Sequence, residues 1–233
     1  MREIVLDTET TGLEPTQGHR LVEIGCVELL NRIPTGATFH CYLNPERDVP
    51  AEAFAIHGLS FDFLKSHKRF VEIADAFIEF IGDAPLVIHN AGFDHGFLNA
   101  ELKRVERVLI ARERLVDTLF LARRKHPGGP NRLDDLCARY GIDNSRRTKH
   151  GALLDAEILA EVYLELIGAR QAQLGLAEKV AGQNTMRGGV AVARERPTPL
   201  TPRLSDAERE AHRAFIATLG AAALWQDYGE NKA

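Results

Sequence analysis

Apolar residues follow two rhythms along this 233-residue chain. Near the start, Ile4-Val5-Leu6 is a short continuous apolar run with two β-branched members, the pattern of a buried strand. Arg20–Leu29 alternates apolar and polar positions with period two, as a half-buried strand does. Asn31 to Gly36, which holds Pro34, reads as a turn, and Thr38–Leu43 as a third strand. Three strands joined by short connections predict an antiparallel meander with Ile4–Leu6 on its first strand.

Beyond the loop marked by Asn44-Pro45 and Pro50 comes A-E-A-F-A-I-H-G-L-S, residues 51–60. The period then changes to that of a helix. Phe70–Ile81 sets Val71, Ile73, Ala74, Phe77, Ile78 and Ile81 on one broad face and stops at Gly82. Pro85–His89 reads as a short buried strand, followed by N-A-G-F-D and a helix to about Arg107. Leu115–Thr118 resembles a strand end feeding a helix through Lys125, and H-P-G-G-P-N at 126–131 is a loop. Leu133–Tyr140 is a short helix, Gly141–Lys149 a basic loop, and His150–Ile167 a strongly amphipathic helix. The expected fold class is α/β: a mixed sheet, antiparallel meander plus parallel strands, flanked by helices.

The pattern weakens after about Glu178. Residues 181–203 carry Gly182, Gly188, Gly189, Pro197, Pro199 and Pro202 with few large apolar residues, a linker composition. Ser205 with Glu208 forms a capping box for a helix that ends at Gly220, and Trp225 and Tyr228 follow. A helix that short cannot bury its own apolar face. The expected organisation is a domain over 1–180, a linker over 181–203 and a short helical tail over 204–233.

Composition narrows the setting. No apolar stretch is long enough for a bilayer and the N-terminus has no signal-peptide pattern. Cys26, Cys41 and Cys137 are odd in number and contain no C-x-x-C, which speaks against a disulfide framework or a zinc site and for a reduced, cytoplasmic setting. The net charge of −4 argues against a protein that coats duplex DNA, yet residues 101–150 hold 13 Lys+Arg against 7 Asp+Glu. A basic middle between acidic flanks suits contact with phosphates, or simply solvated helix faces.

The candidate chemistry is acidic. Asp7 and Glu9, two apart on a strand, project to the same side, and like charges that close repel unless they share a proton or a cation. Asp94 opens a helix just after a buried strand, where an Asp is most often a cap. Asp155 lies in the apolar stretch Leu153–Ile158 of the last long helix, and His150 stands at that helix's start. Four carboxylates gathered at one sheet edge match the needs of two hard divalent cations assisting displacement at phosphorus, with a histidine as base. That is the outline of a phosphodiester hydrolase.

D-T-E-T-T-G at 7–12, H-N-A-G-F-D at 89–94 and H-G-A-L-L-D at 150–155 closely resemble the three exonuclease motifs of the DEDD superfamily. The histidine five residues before the last Asp marks its DEDDh branch, and the match covers about residues 2–180. The resemblance implies a ribonuclease-H-like fold and a 3′→5′ exonuclease that releases nucleoside 5′-monophosphates, with Mg²⁺ or Mn²⁺ as cofactor. It implies Asp7, Glu9 and Asp155 as metal ligands, Asp94 completing the acidic set, and His150 as general base. Thr10 would contact the terminal nucleotide, Leu13 would act as an apolar wedge, and Glu52 and His57 would hold the 3′-terminal nucleotide. His89 and Asn90 would help to shape the pocket.

The resemblance extends to partners: the DNA 3′ end and a replicative polymerase. The tail with Phe215, Ile216, Leu219, Leu224 and Trp225 is similar to one that anchors a proofreading exonuclease to the polymerase subunit. Gln183-Asn184-Thr185-Met186 falls where such chains carry a sliding-clamp-binding peptide, although Arg187 and Gly188 replace its apolar anchors. Two other readings stay open: a stand-alone DEDDh nuclease acting on RNA ends or short oligonucleotides, and a catalytically silent binding subunit.

Overall fold

The computed structural model describes residues 1–147, 149–169 and 204–220, and the chain divides into two units, Met1–Gly175 and Leu176–Ala233. In the first unit β1 (Arg2–Thr10), β2 (Leu21–Leu30) and β3 (Ile33–Tyr42) form the expected antiparallel meander. β1 also pairs in parallel with β4 (Leu86–Ile88), and β4 with β5 (Leu115–Asp117). The sheet order is β3-β2-β1-β4-β5, so the strand bearing Asp7 and Glu9 is the central one.

The β2–β3 connection is tighter than the turn expected over Asn31–Gly36. Asn31 and Arg32 alone reverse the chain, with φ of 51° and 68°, the two-residue turn whose twist suits a hairpin. Pro34 therefore lies inside β3, which tolerates it as an edge strand.

Helices cover both faces: α1 (Ala51–His57), α2 (Phe61–Leu64), α3 (Phe70–Ile81), α4 (Ala91–Arg104), α5 (Thr118–Lys125), α6 (Leu133–Tyr140) and α7 (Ala152–Leu166). Successive side chains of β1 point to opposite faces. Ile4 and Leu6 share a core with Phe70 and Phe77 of α3 and Phe97 and Leu102 of α4. Val5 instead packs with Leu159, Ala160 and Tyr163 of α7. Arg20 of the first loop grips buried Glu101 of α4 through Nε (2.5 Å) and Nη2 (2.9 Å), fastening that helix beside β2.

Two further expectations are corrected. Val71 of α3 is exposed at 53%, because the face toward the sheet is set by Phe70, Ile73, Ala74, Phe77 and Ile81. α7 begins at Ala152 rather than His150, since Gly151 is extended (φ −153°) and acts as its N-cap. His150 is thereby a loop residue. All three cysteines are free thiols, and among the described residues no helix is long and apolar enough to cross a membrane.

In the second unit α8 (Asp206–Thr218) starts at the expected capping box, with Ser205 N–H donating to Glu208 Oε2 at 2.8 Å and Glu208 N–H to Ser205 Oγ at 3.3 Å. Phe215 is 60% and Leu219 48% exposed. The expected linker at 181–203, with Gln183–Met186, and the tail residues Leu224, Trp225 and Tyr228 lie outside the described residues.

Candidate active site

The site is built at the C-terminal end of β1, where the strand passes between two helical layers. Asp7 and Glu9 point to the α7 face, as their spacing requires. Asp7 stands opposite Gly25 of β2, and a Cβ at Gly25 would lie 2.2 Å from the backbone of Ala152 and Leu153. The missing side chain lets the first turn of α7 rest directly on the sheet. That contact brings Asp155 to β1: ligand atoms of Glu9, His150 and Asp155 all lie within 4.8 Å of one another.

Asp94 arrives from the other layer. Asn90, with φ of 65°, turns the chain from β4 into α4, and Asp94 falls in the helix's first turn. It is held over the strand end by the Thr8 hydroxyl, which donates to Asp94 Oδ1 at 2.7 Å. Thr8 points away from Asp7 and Glu9, so one D-T-E tripeptide serves both faces.

The electrostatics follow from burial. Desolvation, then the charges of Asp94, Glu9 and Asp155, push the Asp7 carboxyl well above the usual range. Desolvation with Asp155, Glu23 and Asp94 raises Glu9 to about 8. Desolvation raises Asp94 to about 7 against the opposing hydrogen bond from Thr8. Asp155 is the exception: burial pushes it up, but the neighbouring His150 and the hydrogen-bonded Arg147 guanidinium outweigh that and leave it lowered. A cluster that retains protons near neutral pH is under like-charge repulsion, and hard oxygen donors so placed fit a divalent cation.

A cavity of about 640 Å³ opens over Asp7, Glu9, Asp94, Asp155 and His150 and is also lined by His89, Asn90 and Arg123. An adjoining cavity of about 570 Å³ shares Thr8, Glu9 and Phe93 with it and holds Thr10, Leu13, Glu52 and His57. Leu13 is 76% exposed at its rim. Thr10 is buried and folds its hydroxyl onto Gly12 O at 2.6 Å. His57 is buried at the end of α1; its Nδ1 accepts from Leu59 N–H at 3.0 Å, which leaves Nε2 as an N–H without a hydrogen-bond partner among the described residues. Burial also lowers the His57 pKa, keeping the ring neutral. The two cavities are tied together, because His150 N–H donates to Ile56 O at 3.3 Å and Lys149 Nζ to Ala55 O at 2.6 Å.

All eleven residues singled out from the sequence thus line these two neighbouring cavities. Four further residues had not been singled out. Thr8 was hidden between two acids. Gly25 interrupts an alternating strand, a signal of close backbone approach. Glu23, buried opposite Glu9 and 2.7 Å from His40 Nε2, looked like an ordinary polar strand position. Arg147 had no signal among the many basic residues of its loop.

The chain matches the family model described as Exonuclease (RNase_T) over residues 4–163. Its fold is similar to that of Exonuclease X in complex with 5′ overhanging duplex DNA, with a TM-score of 0.57 at 24% identity over 71% of this chain and 91% of that one. Fold and family model together define the class, a ribonuclease-H-like exonuclease. Closer relatives refine it. The DNA polymerase III subunit epsilon of Rickettsia conorii is 47% identical over 222 residues, covering 94% of this chain and 96% of the relative. That of Escherichia coli K12 is 43% identical over 239 residues, covering 97% of each. The chain belongs to the DNA polymerase III epsilon family of exonucleases.

Proposed function

We propose that this chain is the 3′→5′ proofreading exonuclease of a replicative DNA polymerase III, removing mispaired 3′-terminal nucleotides. The observation that carries this reading is the convergence of Glu9, His150 and Asp155 within 4.8 Å, beside half-buried Asp7 and buried Asp94. Asp7, Glu9 and Asp155, with Asp94, would hold two divalent cations, Mg²⁺ or Mn²⁺. Bound there, the ions supply charge stabilisation and activation of water for an in-line displacement at phosphorus.

The chain's own groups do the rest. His150, half-exposed at the cavity wall, takes a proton from the attacking water. The bond between phosphorus and the penultimate 3′-oxygen breaks, leaving a nucleoside 5′-monophosphate and a shortened strand whose 3′-oxygen regains a proton. Glu52 and the Nε2–H of His57 hold the terminal nucleotide, Thr10 and the backbone beside it contact it, and Leu13 wedges against its base. A mispaired end frays at lower cost and so reaches this pocket more readily.

We assign residues 1–180 to the catalytic domain, 181–203 to a linker and 204–233 to an anchor for the polymerase III alpha subunit. The exposed Phe215 on α8 and Leu219 at its C-cap suit such an anchor. Gln183–Met186 is the candidate sliding-clamp peptide, and the working compartment is the cytoplasm.

The test is co-elution of the full chain, and of a chain ending near Val180, with the polymerase subunit, with degradation of a mismatched primer read in the same fractions. Binding by the full chain alone, with Mg²⁺-dependent activity in both, is the expected result. Activity that survives Asp155→Ala would overturn the site. RNA degraded better than DNA would favour the stand-alone nuclease.

A further inference from the structure

A solvated loop arginine normally keeps its guanidinium in water. Arg147, three residues before the base, does not: its side chain is only 8% exposed. Its planar fork closes on both oxygens of Asp155, with Nε 2.5 Å from Oδ1 and Nη2 2.7 Å from Oδ2. The same Nη2 lies 2.7 Å from His150 Nδ1. A guanidinium carries donors only, so that ring nitrogen must be accepting, its lone pair turned toward Arg147 rather than toward a substrate water. One cation therefore covers a carboxylate needed as a ligand and the imidazole nitrogen that faces the cluster. It sits against two of the three residues whose donor atoms converge within 4.8 Å.

Arg147 also has an anchor outside this cluster. Its Nη1 is 2.8 Å from Oδ1 of Asp134 on α6, a carboxylate 59% exposed at the cavity rim. The guanidinium can leave Asp155 and remain paired there. A divalent ion approaching Asp155 meets both a blocked carboxylate face and a like charge.

We infer that Arg147 is the resident counter-ion of the metal-free site, which a divalent cation must displace from Asp155 and His150 before the base nitrogen is released. This rests on the reading of the acid cluster as a divalent-metal site. Arg147 is then a positioning residue, acting through Asp155 and His150.

The test is calorimetric titration of Mn²⁺ into the full chain without nucleic acid, comparing wild type, Arg147→Gln and Arg147→Lys. Removing the competitor is expected to tighten Mn²⁺ binding about tenfold in Arg147→Gln, with Arg147→Lys in between. Equal or weaker binding in Arg147→Gln would overturn the inference, since Arg147 would then be a holder of Asp155. A second measurement stands on the wild-type fold: the Nε–H resonance of Arg147, assigned by its absence in Arg147→Lys. It is expected to be protected in the metal-free protein and to lose protection on saturation with Mg²⁺. Protection that persists would overturn the inference even if Arg147→Gln failed to fold. A wild-type chain that binds no Mn²⁺ would remove the metal-site reading itself, and this inference with it.

Discussion

Gly25→Ala is the smallest change that should separate the fold from the chemistry. The added Cβ would sit 2.2 Å from Ala152 C and Leu153 N, both backbone atoms of the first turn of α7 that no rotamer change can move aside. To restore ordinary contact, the start of α7 must retreat from β2 by roughly 1.2 Å. Asp155 lies within that turn and must move with it, while Asp7 and Glu9 stay on the central strand. A displacement of about 1 Å at a positioned catalytic group costs on the order of 10²-fold in rate. Overpacking of this kind costs about 1–3 kcal/mol, which lowers Tm by roughly 3–10 °C in a domain of this size. The assay is steady-state release of mononucleotide from a 3′-labelled single strand in Mg²⁺, beside thermal unfolding. Gly92→Ala is the stability control, because its Cβ would meet nothing within 4 Å. Wild-type kcat together with wild-type Tm in Gly25→Ala would refute the argument that this contact places Asp155.

Three more outcomes follow from the geometry. Arg20→Ala strands Glu101, buried at 2% exposure, with Arg104 at 3.4 Å as its one remaining ion-pair partner among the described residues, and should cost about 3 kcal/mol in denaturant unfolding while leaving the fold recognisable by circular dichroism. His150→Ala should lower kcat by about 10²–10⁴-fold with little change in KM, measured on the same single strand; a pure KM effect would reject the base role. The third concerns pH. Glu9 and Asp94 have folded-state pKa values raised to about 8 and about 7, so the metal-free fold binds protons that the unfolded chain releases. Their stabilisation is complete below the ordinary carboxylate range and is lost as pH rises through 7 to 8. The metal-free Tm should therefore fall between about pH 5 and pH 8, and saturating Mg²⁺ should remove the fall; a metal-free Tm that rises over that window would contradict it.

Much of this protein was legible in the chain alone. Local pattern found the meander and helices α3, α6 and α8, because a strand or helix that buries one face must repeat its apolar positions with period two or 3.6. The acids were legible for a different reason. Asp7, Glu9, Asp94, His150 and Asp155 sit in short segments where the charged residue follows a strand or opens a helix, and such segments keep their order and spacing whatever the fold does. Turn chemistry was read less well at 31–36, where two positive-φ residues did the work assigned to six.

What the chain could not reveal was which layer each residue comes from. That Asp94 reaches the site over the strand end, held by Thr8, depends on α4 and α7 lying on opposite faces of one sheet. The role of Gly25 exists only because a helix 127 residues later in the chain rests on it. Arg147 is one basic residue among many until burial forces its guanidinium onto Asp155 and His150. Sequence patterns report what a residue needs from its neighbours along the chain; the pairing of charges across layers is a consequence of burial, which only the tertiary structure decides.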